Sequence, residues 1–267
     1  MPYKDDRTRK GGKDYRSPES DDSFVIGRNP VKELLRSGKS VDTVYMDTAL
    51  GGSLSQISRL AKEAGVVVKD VKSDKLSRMC GSDAHQGVIA AAACAEYVSV
   101  EDILAVSAEK GTSPFIIICD EIEDPHNLGA IIRTAEAAGA DGIIIPKRRS
   151  ASLNMTVHRT SAGAASFLPV ARVSNIPQTI DMLKERGIWI YGTQADAPSY
   201  TDTDLTGACA VVIGSEGFGM SRLVREKCDV LVSLPMLGKI NSLNASVAAG
   251  IFIYEALRQR MIKARKN

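Results

Sequence analysis

Residues 114–146 read PFIIICDEIEDPHNLGAIIRTAEAAGADGIIIP, and the reading of this stretch decides the fold class. An unbroken apolar run, Phe115 to Cys119, stops at Asp120, and turn-forming residues lead through Pro125. LGAIIRTAEAAG then carries small and apolar residues at helical spacing, and DGIIIP is a second apolar run. Strands that are apolar at every position are buried on both faces, as in parallel sheets covered by helices. The alternation continues with FLPVARV, IWIYGTQ, ACAVVIG and DVLVSLP as strands. LNMTVHRTSAG, IPQTIDMLKERG, MSRLVREKC and a long segment from Ser242 to about Lys263 read as helices. Strict alternation predicts an α/β fold with a mainly parallel sheet. Ligands of such sheets sit beyond the carboxyl ends of the strands, so chemistry is expected just after FIIICD, ACAVVIG and DVLVSLP.

Upstream, FVIGR, VDTVYM, VVVKDV and GVIAAAACA read as strands, while NPVKELLRSG, SLSQISRLAKEAG and SDKLSRMCG read as helices, two of them closing at Gly38 and Gly65. This predicts a small α/β domain over residues 23–97. Residues 98–113 are expected as a linker with one helical turn or more, followed by a larger domain over residues 114–267. Residues 1–22 hold six basic and six acidic side chains with almost nothing apolar, which predicts a disordered tail.

Of the 267 residues, 44% are hydrophobic and 25% charged, an ordinary globular balance. No apolar run is long enough to span a bilayer and no charged-then-apolar leader opens the chain, so a cytoplasmic protein without membrane contact is expected. Five widely spaced cysteines without a CxxC pair suggest reduced thiols; neither a disulfide framework nor a metal site is expected. The net charge of +2 does not announce a polyanion binder. Basic residues cluster at Lys147, Arg148 and Arg149 and again from Arg258 to Lys266, either as solvated faces or as phosphate contacts.

Three segments concentrate polar groups where ligands are expected. In the first, Asn127 suits a helix N-cap, and Arg133 stands among small and apolar residues, either in a functional role or as a surface partner of Glu136. The second, VVIGSEGFGM, is a strand, a three-glycine turn and a helix start. Its order is G-x-x-G-x-G, not the dinucleotide G-x-G-x-x-G, which disfavours a nicotinamide oxidoreductase. A tight turn accounts for the glycines but leaves Glu216 unexplained. In the third, LPMLGKINSLNASVAAGIFIYEALRQR, Leu243, Val247, Ile251, Tyr254 and Leu257 form a helical stripe flanked by small residues from Ala245 to Gly250. Ser242 is the natural N-cap, and Asn241 and Asn244 beside it exceed what capping needs.

NLGAIIRTA (127–135), IGSEGFGM (213–220) and LPMLGKINSLNASVAAGI (234–251) resemble, in order and spacing, the three signature motifs of the SpoU, or TrmH-like, RNA 2′-O-methyltransferases. The N-terminal module, with GRNPV near Gly27 and HQGV from His85, is similar to the L30-like substrate-binding domain of the ribosomal-RNA branch. The resemblance implies a deep trefoil knot, S-adenosyl-L-methionine as cofactor, and a homodimer through the C-terminal domain in which each site is completed by the partner. It implies methyl transfer to the ribose 2′-hydroxyl of a nucleotide, guanosine in 23S rRNA. By residue, it implies cofactor contacts at Thr193, Gly214, Leu234, Met236, Leu243 and Asn244, and catalytic roles for Arg133, Asn127, Glu216, Ser242 and Asn244. A guanidinium is almost never neutral, so Arg133 is expected to orient the hydroxyl or stabilise an alkoxide instead of serving as a base. Arg28, Asn29, Lys32 and His85 are expected to contact RNA. His126 is given at most a minor positioning role, and His158 is read as surface. A tRNA target within the same chemistry and a non-catalytic RNA-binding protein are the alternatives.

Overall fold

The computed structural model describes residues 24–52 and 54–266, so the tail expected over residues 1–22 lies outside the described residues. The N-terminal sheet contains β1 (Phe24–Ile26), β2 (Val41–Met46), β3 (Val67–Asp70) and β4 (Val88–Ala92) in the order β1-β4-β2-β3. β4 runs antiparallel to both neighbours, and β2 and β3 are parallel. α1 (Arg28–Arg36) and α2 (Leu54–Glu63) cover one face through Val31, Ile57 and Ala61, while α3 (Ser73–Cys80) covers the other through Leu76 and Cys80.

Residues 98–113 form α4 (Val100–Lys110), which is more than a connection. Ser99 and Asp102 make a capping box at its start, and Val100 and Ile103 are buried in the core of the larger unit. The larger sheet contains β5 (Phe115–Cys119), β6 (Gly142–Pro146), β7 (Val170–Val173), β8 (Trp189–Thr193), β9 (Cys209–Ile213) and β10 (Val230–Val232). Its order is β10-β8-β9-β5-β6-β7, and every pairing is parallel. Alternate residues of β5 serve opposite cores. Ile117 and Cys119 pack toward α5 (Pro125–Ala137), α6 (Met155–Thr160) and α9 (Ala245–Ala264). Ile116 and Ile118 pack toward α4, α7 (Ile176–Glu185) and α8 (Arg222–Lys227). α5 and α6 cross closely because Gly129 has no side chain: a Cβ there would stand 2.7 Å from Thr160 Cβ.

A buried polar cluster joins the two units. Arg172 of β7 donates to Asp42 Oδ1 of β2 at 2.8 Å and to the Asp42 carbonyl at 3.0 Å, and Ser152 donates to the other carboxylate oxygen. The Arg172 guanidinium stacks over Tyr97 at 5.3 Å, and the Tyr97 hydroxyl accepts from Leu153 N at 2.9 Å. Arg172 Nη2 also donates to Lys147 O at 3.3 Å, while Nε is buried without a partner; separating the pair would leave a buried charge uncompensated, so the cluster fixes the small unit against the large one.

The third segment departs from its sequence reading. α9 begins at Ala245, and its N-cap is Asn244, not Ser242; Asn244 Oδ1 accepts from Ser246 N at 3.0 Å and from Val247 N at 3.4 Å. Its buried face comprises Ala245, Ala249, Phe252, Ile253 and Ala256, while Leu243, Val247 and Tyr254 are 38%, 51% and 50% exposed. The small residues let α9 lie close on α5, which turns much of the large apolar stripe outward.

Candidate functional site

The site forms where β5, β8, β9 and β10 end. After β9, Ser215 and Gly219 exchange backbone hydrogen bonds at 2.9 Å, closing a loop in which Gly217 and Gly219 take left-handed φ values of 87° and 70°. Only glycine adopts these readily. Gly214 is constrained by a close approach: a Cβ would stand 2.2 Å from Gly219 C and 2.3 Å from Met220 N. The glycine spacing thus folds the loop back onto its own strand and projects Glu216 and Phe218 outward, and Phe218 is 94% exposed.

Glu216, unexplained by a tight turn, meets two asparagines here. Asn244 Nδ2 donates to Asn127 Oδ1 at 2.9 Å and to Glu216 Oε2 at 3.2 Å, and Asn127 Nδ2 points to the same carboxylate oxygen at 3.5 Å. One residue from each motif therefore closes a cluster 117 positions wide in sequence. Asn127 is not the N-cap of α5. Asp124 caps it, accepting from His126 N at 2.9 Å, and Pro125 occupies the first turn, which leaves the buried Asn127 side chain to the cluster. Beneath, Asp120 at the end of β5 accepts from Ser221 N at 2.7 Å, and burial pushes its carboxyl above the usual carboxylate range.

Two cavities flank the 215–218 loop. One, of about 420 Å³, is lined by Thr193, Gly214, Leu234, Met236, Ser242 and Leu243, among others. The other, of about 450 Å³, is lined by Glu121, Glu123, Asp124, Asn127 and Arg149 and shares Ser215, Glu216 and Phe218 with the first. Arg149 is paired with Glu121 at 2.9 Å on its rim. Asn244 lines neither cavity directly and acts through Glu216 and Asn127. Arg133 is not brought to this cluster. It is exposed on α5, lines neither cavity, and its side chain has no hydrogen bond or ion pair with any described residue, the surface pair with Glu136 included.

In the small unit, the two quoted motifs meet. Arg28 Nε donates to Gln86 O at 2.9 Å, and Gly27 N donates to Val88 O at 3.1 Å. His85 is 6% exposed and both ring nitrogens are engaged: Nδ1 accepts from Gly87 N at 2.9 Å and Nε2 lies 3.0 Å from Ser77 Oγ. The expectation of an RNA-facing His85 is therefore corrected to a structural one, because no polar atom remains to offer. Asn29 is exposed and Lys32 half-buried, both on α1. His126 Nδ1 lies 3.4 Å from Thr160 Oγ1, and His158, expected at the surface, is half-buried with Nδ1 sealed from solvent. Asp120 and Phe218 escaped the sequence reading, which had Arg149 only as part of a basic cluster; Asp120 had a signal, its place directly after a strand. Among the described residues no group of three or more His, Cys, Asp or Glu side chains could hold a metal ion, and no helix is long and apolar enough to cross a membrane.

A parallel sheet with a ligand cavity and a polar cluster at its carboxyl edge, joined to a separate small domain, defines a two-part α/β protein with a small-molecule site at a strand-end crevice. Residues 114–254 match the model of the SpoU rRNA methylase family, and residues 24–98 match that of the RNA 2′-O ribose methyltransferase substrate-binding domain. The chain belongs to the SpoU family of S-adenosylmethionine-dependent RNA methyltransferases. It is 48% identical over 239 residues to YacO of Bacillus subtilis, a member of the TrmH tRNA/rRNA methyltransferase family, covering 89% of this chain and 96% of that one. A TrmH-family relative from Staphylococcus saprophyticus is 44% identical over 238 residues, covering 88% of this chain and 95% of the relative. The fold matches the SpoU methyltransferase AviRb of Streptomyces viridochromogenes, solved with S-adenosylmethionine, with a TM-score of 0.58, 28% identity and coverage of 89% and 90%. The residues present fit that cofactor: the first cavity falls within the usual size of small-molecule sites, and Gly214 lets the 215–219 loop fold back to form part of its wall.

Proposed function

We propose that this chain transfers the methyl group of S-adenosylmethionine to the ribose 2′-hydroxyl of a guanosine in 23S rRNA, acting as a homodimer. The observation that carries the reading is the Asn127–Asn244–Glu216 cluster, which stands between two adjoining cavities. In this reading Thr193, Gly214, Leu234, Met236 and Leu243 hold the methyl donor in the first cavity. The nucleotide enters the second, and Asn127, Glu216, Ser242 and Asn244 fix its ribose. A sulfonium methyl needs only an aligned nucleophile, so the protein's work is to orient the hydroxyl and relieve it of its proton. Arg133 stabilises the developing alkoxide, and a substrate phosphate accepts the proton.

The second cavity supports guanosine. Glu121 and Glu123 are acceptors suited to the adjacent N–H groups of a guanine edge, and Phe218 offers a stacking face for an unstacked base. The dimer rests on the outward apolar stripe of α9. Asn127 and Arg133 are six residues apart on α5, about 9 Å along its axis and on different faces. Pairing through α9 brings Arg133 of one protomer to the cavities of the other. The deep trefoil threading expected of the family belongs to the same reading, as does a docking role for Arg28, Asn29 and Lys32 on structured RNA. The domain limits we assign are 23–97 for substrate binding and 114–267 for methyl transfer, with a cytoplasmic location.

Parallel methylation of naked 23S rRNA and of total tRNA, with radiolabelled S-adenosylmethionine, tests the substrate. Label is expected on 23S rRNA; label confined to tRNA redirects the substrate while leaving the chemistry intact.

A further inference from the structure

Two side chains of the first cavity have no partner in the arrangement described so far. Gln194 extends β8 by one residue, its N–H donating to Val232 O at 2.9 Å, and the adjoining Thr193 hydroxyl donates to Val212 O at 2.9 Å. The backbone is thus pinned on both sides at the cavity wall that Gln194 lines. Its Oε1 is sealed from solvent and meets no donor among the described residues. Buried polar atoms are almost always hydrogen-bonded, because an unpaired one has lost its hydration for nothing in return. Because Gln194 lines the cavity, a turn of its carboxamide brings this orphaned acceptor to the ligand, which points to a donor there.

Arg225, on α8, lines the same cavity, and its side chain has no hydrogen bond or ion pair with any described residue. Its helix ends against β8: Cys228 Sγ stands 2.6 Å from where a Cβ on Gly192 would be, and Cys228 N donates to Arg225 O at 3.2 Å. Gln194 and Arg225 therefore belong to the β8 side of the cavity. Glu216 and Asn127 follow β9 and β5, on the other side.

S-adenosylmethionine has a single anionic group, the α-carboxylate, on the same carbon as the α-ammonium. A guanidinium pairs well with a carboxylate and is repelled by the sulfonium. A carboxamide oxygen suits an ammonium donor. We propose that Gln194 and Arg225 form a clamp for the amino-acid end of the methyl donor, Gln194 Oε1 accepting from the α-ammonium and Arg225 pairing with the α-carboxylate. The adenosine end is then left to the backbone-rich wall at Gly214, Leu234 and Leu243. The proposal rests on the assignment of this cavity to S-adenosylmethionine.

Isothermal titration of the full-length protein, without RNA, with S-adenosylhomocysteine and with 5′-methylthioadenosine tests it. The second ligand has the same nucleoside and thioether but no amino-acid group. Gln194→Leu and Arg225→Gln should each weaken S-adenosylhomocysteine by about tenfold, the loss of one charge-assisted hydrogen bond, with methylthioadenosine unchanged. Gln194→Glu, which keeps the shape and remains an acceptor for an ammonium, should bind S-adenosylhomocysteine at least as well as the parent. It decides the matter if the leucine variant fails to fold. Equal losses for both ligands, or no loss for either, overturn the clamp. A parent protein that binds neither ligand overturns the cavity assignment as well.

Discussion

Asn244 does two jobs with the two ends of one side chain. Its Oδ1 caps α9 and its Nδ2 ties Asn127 to Glu216. Asn244→Ala should lose both, and the missing cap alone costs about 1 kcal/mol. Asn244→Asp keeps the capping oxygen, places a carboxylate against Glu216 and removes the donor. Activity should therefore fall by roughly tenfold or more while thermal unfolding stays closer to the parent than in the alanine variant. A fully active aspartate variant would show that the cluster is only a cap. Arg133→Ala should abolish methyl transfer and leave S-adenosylhomocysteine affinity within several-fold of the parent in a calorimetric titration, because Arg133 lines neither cavity; comparable activity in that variant would remove it from the mechanism. Cys119 is buried and Cys228 half-buried. Burial pushes Cys119 and Cys228 up to about 12, so at pH 8 both remain protonated. Iodoacetamide should leave them unlabelled in the folded protein and label them after denaturation, and labelling of the native protein would contradict the packing.

The elements themselves were largely legible. Apolar runs such as FIIIC and CAVVI are buried at every position of β5 and β9, and a run apolar throughout has few other uses. The order in which the strands pair was legible only in part: β5–β6, β6–β7 and β8–β9 join consecutive strands, but nothing local selects β9 over β8 beside β5, or β8 as the partner of β10. α9 shows a second limit. Its residues were readable as an amphipathic helix, but which face turned inward depended on α5, where Gly250 of α9 comes up against Thr134. Ser242 and Asn244 were equally good caps until the position of Glu216 was known, and His85 was readable as polar but not as buried. The outward stripe carries its own prediction. Val247→Glu should convert the proposed dimer to a monomer by light scattering at micromolar concentration, because it sets a charge in the apolar stripe proposed as the interface. A parent that is monomeric under the same conditions would refute pairing through α9.

At the scale of the whole molecule, the Asp42–Arg172 pair makes the small unit a fixed arm, with its side chains 3% and 11% exposed. Asp42→Ala leaves Arg172 buried and uncompensated, which should cost about 3–5 kcal/mol in denaturant unfolding. A loss under about 1 kcal/mol would mean that the two units are joined more loosely. For the same reason, deleting the small unit would strip Arg172 of its partner, so recognition is better probed by Lys32→Glu, which changes a charge proposed to face RNA without breaking the junction. That variant should weaken RNA binding by roughly tenfold and leave cofactor binding unaltered. The account as a whole stands on the identity of the methylated atom. The most direct measurement is digestion of 23S rRNA, labelled by the purified protein, to single nucleosides, with mass spectrometry locating the added methyl. The account predicts 2′-O-methylguanosine, absent when Arg133→Ala replaces the parent; label on a base, or an equal yield from the variant, would contradict it.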